Sequence, residues 1–296
     1  MRFLATLWQF SRPHTLIGST VSLVALFAIA VHDIPTLRGV LTLLLPSLIS
    51  AWGCNIYITG LNQWSDVDVD RINKPWLPIP AGRLTRAQAL VIVIVSGIIS
   101  LGTAAMLSPA FFGLILLIVL IGTAYSLPPL KFKRNHIAAA SAITLVRGLL
   151  VNAGFYVHFR YELTGAIELH QAMWPLIVFV AAFSLGIAWF KDIPDTAGDA
   201  EYQFGTLAVQ AGRGRAFLYG VIVVSAAYLY VCWAGWAGYL PRPAYMISVH
   251  LLCLGLFWWQ ASRLQVKQDG AVKRFYLFFW GLFFAEYLLY PIAFYL

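Results

Sequence analysis

Two groups of residues stand out for their spacing: Asn62, Asp66 and Asp70 in one stretch, and Asp192, Asp195 and Asp199 in another. Asp66 and Asp70 are four residues apart, as are Asp195 and Asp199, so on a helix each pair shares one face. Asn62 lies one turn before Asp66, and Asp192 lies three residues before Asp195. Each group begins where a long apolar segment ends. So many carboxylates at one boundary repel one another unless cations hold them. Oxygen ligands in this pattern suit Mg²⁺ ions bridging to a diphosphate, because Mg²⁺ is a hard cation. The expected metal ligands are therefore Asn62, Asp66, Asp70, Asp192, Asp195 and Asp199, with Asp66, Asp70, Asp192 and Asp195 as the catalytic acids. Asp68 points away from the Asp66/Asp70 face and is at most an outer support.

Basic residues lie beside both groups. Arg71 and Lys74 follow the first, Lys191 precedes Asp192, and Tyr125 leads through Pro128-Pro129 to Lys131, Lys133 and Arg134. For any single lysine the plain alternative is anchoring at a membrane surface. Arg147 differs, because a lone arginine inside an apolar run is costly and marks a site. It is expected to meet either a diphosphate or a substrate carboxylate. Arg12 and His14 flank Pro13, which suits a helix start, and they are expected to close the mouth of the site.

These residues need a scaffold. The chain has 296 residues, 60% hydrophobic and 11% charged, whereas a soluble protein carries about 25% charge. Apolar runs of about 20 residues each predict nine spans, at roughly 15–32, 39–60, 87–107, 109–127, 136–157, 173–190, 216–236, 244–261 and 274–295. This is an all-α, multi-pass integral membrane protein, read as one unit over 1–296 with the lipid bilayer as its surroundings. Of the 20 Lys and Arg, only Arg38, Arg160 and Arg242 fall on the side away from the acidic stretches, and Arg147 falls within a span. The bias puts the N-terminus and both acidic stretches in the cytoplasm. The net charge of +8 is then mostly topology. There is no nucleic-acid recognition module and no identifiable protein partner. Cys54, Cys232 and Cys253 have no metal-ligand spacing and read as packing residues. His136, His158, His170 and His250 have no spacing partner and read as structural. No Ser/Arg-rich leader precedes Trp8, which points to a host without organelle import, a prokaryote.

A helix pair, an acidic stretch and another helix pair occur twice, which predicts a pseudo-duplicated bundle with its acidic stretches facing each other. Pro75, Pro78 and Pro80 should end the helix that carries Asp66 and Asp70. Pro194 should bend the chain within the second group.

The pattern Asn62-x-x-x-Asp66-x-x-x-Asp70, the second Asp-rich motif and the Tyr125-to-Lys131 connector resemble the UbiA superfamily of intramembrane prenyltransferases. The resemblance covers nearly the whole chain and implies nine helices around a central cavity. Within the family, Asn62-Gln63 through Asp70-Arg71-Ile72-Asn73-Lys74-Pro75, Phe190-Lys191-Asp192-Ile193-Pro194-Asp195, Phe10-Ser11-Arg12-Pro13-His14-Thr15 and Glu286 through Pro291 look like the branch acting on homogentisate, its cyanobacterial members above all. That implies a thylakoid or plasma membrane, a prenyl diphosphate donor (phytyl or geranylgeranyl), homogentisate as acceptor with loss of CO₂, and Mg²⁺ as cofactor. It also implies diphosphate contacts from Arg71, Lys74, Tyr125, Lys131, Lys191 and Arg147. Arg12 and His14 face the acceptor; Arg147, Arg12 or His14 holds its carboxylate, and the sequence does not choose among them. Gln63 stands where many members carry Asp, so one Mg²⁺ is expected to have fewer protein ligands. The alternatives are another donor or acceptor (solanesyl diphosphate, 4-hydroxybenzoate, a naphthoate or chlorophyllide) and, in another class, a membrane transporter, whose acids should lie near the bilayer midplane.

Overall fold

In a bilayer every backbone polar group must be satisfied internally, and helices do this along their own length. The computed structural model describes residues 2–34 and 39–296. The Arg2 side chain and Arg38, both used in the charge reading, lie outside what is described. In chain order the helices are α1 (Arg2–Phe10), α2 (Pro13–Val31), α3 (Val40–Ser65), α4 (Val67–Asn73), α5 (Arg86–Leu107), α6 (Pro109–Ser126), α7 (His136–Thr164), α8 (Met173–Asp192), α9 (Thr196–Glu201), α10 (Leu207–Gln210), α11 (Arg213–Trp236), α12 (Pro243–Ser262) and α13 (Asp269–Ile292). Among the described residues nine are long and apolar enough to cross a membrane: α2, α3, α5–α8 and α11–α13. α7 outruns its expected end because the polar segment His158–Thr164 continues the helix until Gly165 takes a left-handed conformation at φ 75°.

Local signals set the ends. Pro13, Pro109 and Pro243 occupy first-turn positions, where the missing N–H has no role. Thr85 and Gln88 form a reciprocal capping box ahead of α5. Close packing and buried hydrogen bonds hold the helices together, since lipid tails are as apolar as the side chains. Ser50 Oγ donates to the Ser100 carbonyl, and Ser100 Oγ donates to the Ser50 carbonyl, each at 2.8 Å, which ties α3 to α5. Phe183 of α8 stacks on Phe279 of α13 with centroids 4.0 Å apart. Helices α2, α3, α6, α7, α8 and α13 ring a central cavity.

The two acidic stretches share one design, a long helix, a hinge at an aspartate and a short helix. In the first the hinge is Asp66, at φ −111°. The four-residue backbone ladder still runs through it, from Asp66 N to Asn62 O (3.1 Å), Asp70 N to Asp66 O (2.8 Å) and Lys74 N to Asp70 O (2.8 Å). Asn62, Asp66 and Asp70 therefore keep a common face, and α4 ends before Pro75 as expected. In the second, α8 stops at Asp192 and α9 resumes after Asp195, with Pro194 in the break.

Candidate active site

The two acidic stretches meet. Lys74 Nζ pairs with Asp195 Oδ2 across the gap and lies 3.8 Å from Asp70 Oδ1. Asn73 Nδ2 donates to Asp199 Oδ1 (3.2 Å), and Gly198 N donates back to Asn73 Oδ1 (2.9 Å). Gly198 permits this approach, since a Cβ there would sit 2.6 Å from Asn73 Oδ1. Asp66, Asp70, Asp195 and Asp199 are all buried. Asn62 Nδ2 donates to Asp66 Oδ2 at 3.2 Å.

Charge balance at this rim comes from lysines. Lys133 is buried, 2.7 Å from Asp66 Oδ1, and donates to Ser65 Oγ at 2.6 Å. Burial lowers its ammonium to about 8 despite the pull of Asp66. It gets there because the segment after α6 pairs with the segment after α9: His136 N donates to Gly205 O (3.1 Å) and Gly205 N to Arg134 O (2.8 Å). Lys191 Nζ donates to Tyr125 Oη (2.9 Å) and lies 3.5 Å from Asp192 Oδ1. Burial pushes the Asp70 carboxyl up to about 6, with Lys74 and Arg12 opposing. Burial, then Asp192 and Asp195, push Asp199 up to about 7.

The donor set fits a divalent cation. Asp70 Oδ2 is buried without a hydrogen-bond partner, and Asp66 Oδ1 has the Lys133 ammonium but no aligned hydrogen bond. Among the described residues no three acidic, His or Cys side chains converge on one point. Asn62, Asp66, Asp70, Asp192, Asp195 and Asp199 are the residues that would hold Mg²⁺, a hard cation that takes oxygen ligands.

Two cavities adjoin. The rim cavity, about 420 Å³, is lined by Asp66, Asp70, Asp192, Asp195, Asp199, Lys74 and Lys133 among others. The inner one, about 250 Å³, is largely apolar and reaches Leu23, Ile115 and Phe155. Arg12, His14, Asn62, Tyr125, Lys191 and Tyr276 line both and form the neck between them. Arg12 turns the chain there in a left-handed conformation at φ 52°. A charged rim adjoining an apolar chamber through shared lining residues matches a molecule with an anionic head and a hydrocarbon tail.

Several expectations need correction. Arg71 is exposed and pairs with Asp68 at 2.8 Å, because it sits one residue past the Asp66/Asp70 face. Lys131 lines neither cavity; its ammonium lies over the Phe204 ring at 5.5 Å. Lys133 takes the position expected of it. Gln63 does not face the acids: it is buried and its Nε2 donates to the Phe10 carbonyl at 2.7 Å, pinning α1 to α3. His136 lines the rim cavity instead of serving packing alone. Asn73 and Tyr276 are site residues the sequence reading passed over. Asn73 repeats the spacing of its own acidic face, being three residues after Asp70. Tyr276 carries no comparable signal.

Comparison with known proteins agrees with this geometry. The profile of the UbiA prenyltransferase family matches residues 19–283. The chain is 40% identical to a homogentisate phytyltransferase of Synechocystis sp., covering 99% of this chain and 96% of that one. It is 37% identical to a chloroplastic homogentisate solanesyltransferase of Arabidopsis thaliana, covering 98% and 77%. The fold superposes on a UbiA homolog from Archaeoglobus fulgidus bound to DMAPP and Mg²⁺, with a TM-score of 0.66, 17% identity and coverage of 96% and 99%.

Proposed function

The chain belongs to the UbiA prenyltransferase family, and from that premise we propose that it transfers a prenyl group, phytyl by preference, from its diphosphate to homogentisate. The observation that carries this reading is the neck: buried carboxylates and lysines on one side, an apolar chamber on the other, joined through Asn62, Tyr125 and Lys191. Phytyl follows from the likeness to the Synechocystis enzyme, a homogentisate phytyltransferase by name.

The diphosphate lies at the rim. Lys74, Lys133 and Lys191 meet its oxygens with charge-assisted hydrogen bonds, and Tyr125 holds Lys191 toward the neck. Asn62, Asp66, Asp70, Asp192, Asp195 and Asp199 would hold Mg²⁺, which would supply charge neutralisation for the departing diphosphate. The prenyl tail occupies the apolar chamber, whose walls keep water from the allylic carbon once the C–O bond ionises. Tyr276 lines the chamber at the neck, where its ring would stabilise developing positive charge. In balance, the bond from prenyl carbon to diphosphate oxygen breaks and the bond to the aromatic ring carbon forms. The ring proton leaves, CO₂ departs from the acceptor side chain, and its methylene carbon takes up a proton. The product is a 2-methyl-6-prenylbenzoquinol.

The positive-inside bias supports a cytoplasmic rim, and the likeness to the Synechocystis enzyme supports a cyanobacterial thylakoid or plasma membrane. Acids at helix ends, not at mid-span, argue against a transporter. The test is to incubate purified protein with Mg²⁺, a panel of prenyl diphosphates and, in separate reactions, homogentisate, 4-hydroxybenzoate or chlorophyllide as acceptor, and to identify the product by mass. Methylphytylbenzoquinol supports the reading. Prenylation of 4-hydroxybenzoate or chlorophyllide alone would overturn the acceptor, and absence of any prenylated product would overturn the activity.

A further inference from the structure

The apolar chamber contains one cation that the rim does not share. Among the described residues Arg12, His14 and Lys191 line both cavities, whereas Arg147 lines only the chamber. It lies about three turns into α7 from the rim end. Its guanidinium rests over the ring of Trp280 at 4.9 Å and that of Phe283 at 6.0 Å. No hydrogen bond or ion pair engages that guanidinium among the described contacts, and the part of its surface left uncovered opens into the chamber. A guanidinium held in an apolar chamber without a counter-ion is costly unless an anion arrives.

Its backbone is braced from three sides. Arg147 belongs to a π-helical stretch, Leu145–Gly154, where widened turns displace carbonyls from the regular ladder. Asn152 Nδ2 donates to the Arg147 carbonyl (2.7 Å) and the Gly148 carbonyl (3.0 Å). Tyr287 Oη of α13 donates to Asn152 Oδ1 at 2.8 Å. Gly148 lies flush on α8, where a Cβ would come within 2.7 Å of Ala181. The side chain is thus aimed by α7, α8 and α13 together.

Of the two partners expected for Arg147, a diphosphate or a substrate carboxylate, the diphosphate has its own cations, Lys74 and Lys133, in the other cavity. A planar guanidinium grips a carboxylate through two parallel hydrogen bonds, and Trp280 and Phe283 offer ring faces beside it. Resting on the prenyl-transfer reading above, we propose that Arg147 seats the carboxylate of the aromatic acceptor and so selects an aromatic acid, with Asn152 and Tyr287 as its positioning residues.

The test compares homogentisate with 2,5-dihydroxytoluene, the same ring without the carboxylate. Arg147→Gln should raise the KM for homogentisate by at least about tenfold, the loss expected of a charge-assisted pair. It should leave the KM for the prenyl diphosphate and for 2,5-dihydroxytoluene within about twofold, which also shows that the variant is folded. Arg147→Lys should recover part of the loss. Asn152→Leu should raise the homogentisate KM in the same direction with the donor KM unchanged. A raised donor KM, or equal losses for both acceptors, would overturn the assignment. Equilibrium dialysis of labelled homogentisate against donor-free protein separates the two readings. If the wild-type protein binds homogentisate through Arg147 but forms no product, the transfer reading fails and this one stands. If product forms but binding ignores the substitution, this one fails alone.

Discussion

Lys74, at the end of the first acidic stretch, closes an ion pair with Asp195 in the second, so a single ammonium ties the two acidic stretches together. Asn73 beside it repeats the tie to Asp199. The clasp stands where a bridging diphosphate would take over the same charges. Lys74→Ala should lower kcat/KM for the prenyl diphosphate by about ten- to a hundredfold, the loss of one charge-assisted contact. The KM for homogentisate should not move. Steady-state kinetics with each substrate varied in turn checks this.

Lys133 and Lys131 should part company. Lys133→Ala leaves Asp66 buried without its cation, a change of about 3–5 kcal/mol when a buried pair loses one partner. Both thermal stability in detergent and donor affinity should fall. Lys131→Ala and Arg71→Ala remove charges that line neither cavity, and their turnover should stay within about twofold of wild type, as usual for surface changes. Comparable losses in all three would mean that the rim is misread.

Metal dependence should vary with pH. Asp70 and Asp199 sit near 6 and 7, well above the unfolded value of about 3.9. Between about pH 4 and 7 the folded state therefore holds more protons at these two groups than the unfolded state does. Their contribution to stability falls as pH rises through that window. Mg²⁺ competes with those protons. The half-saturating Mg²⁺ concentration should thus drop as pH rises from 6 to 8, and the Mg²⁺-induced rise in Tm should be larger at pH 8 than at pH 5.5. Differential scanning fluorimetry across that range reads both, and a pH-independent Mg²⁺ response would contradict the account.

The legible parts of this protein are those set by local periodicity. Nine spans follow from apolar run length, and the common face of Asn62, Asp66 and Asp70 follows from four-residue spacing, which survives the hinge because the backbone ladder does. The same rule places Asn73 in the site and Arg71 outside it, so both were within reach. Lys133 was not. Its burial against Asp66 depends on the pairing of the segment after α6 with Gly205, some seventy residues on, and no local pattern encodes that contact. The Gln63 contact was out of reach for a related reason: its partner is the Phe10 carbonyl at the end of α1, fifty-three residues earlier.

The chamber's depth should set tail length. Phe155 closes it away from the neck, packed edge-on against Phe111 at 5.2 Å. Phe155→Ala should extend the chamber and shift preference from phytyl toward longer donors such as solanesyl diphosphate. The lost packing should destabilise the protein by about 3–5 kcal/mol. Competition between donors, read by product mass, checks the shift, and an unchanged ratio would place the end of the tail elsewhere.

At the opposite end of the bundle Arg160 joins α2 to the segment after α7, donating to the Ala30 carbonyl (3.0 Å) and pairing with Asp33 (2.6 Å) and Glu168. Asp33 and Glu168 are about half exposed, so the network is worth about 1 kcal/mol. Arg160→Ala should lower Tm by a few degrees and leave the Mg²⁺ dependence of turnover untouched. An altered Mg²⁺ requirement would mean that the two ends of the bundle are coupled.

The central claim is that two acidic stretches from two halves of one chain act together on one diphosphate. Mg²⁺-dependent pyrophosphate release in a single turnover tests it most directly, with Asp66→Asn and Asp192→Asn, one from each stretch, compared with wild type at equal amounts of membrane-inserted protein. The account predicts that either substitution alone lowers release by more than about a hundredfold, and that the pair costs little more than either one, as for residues that act as a unit. Release that persists in both single variants, or losses that simply multiply in the pair, would contradict it.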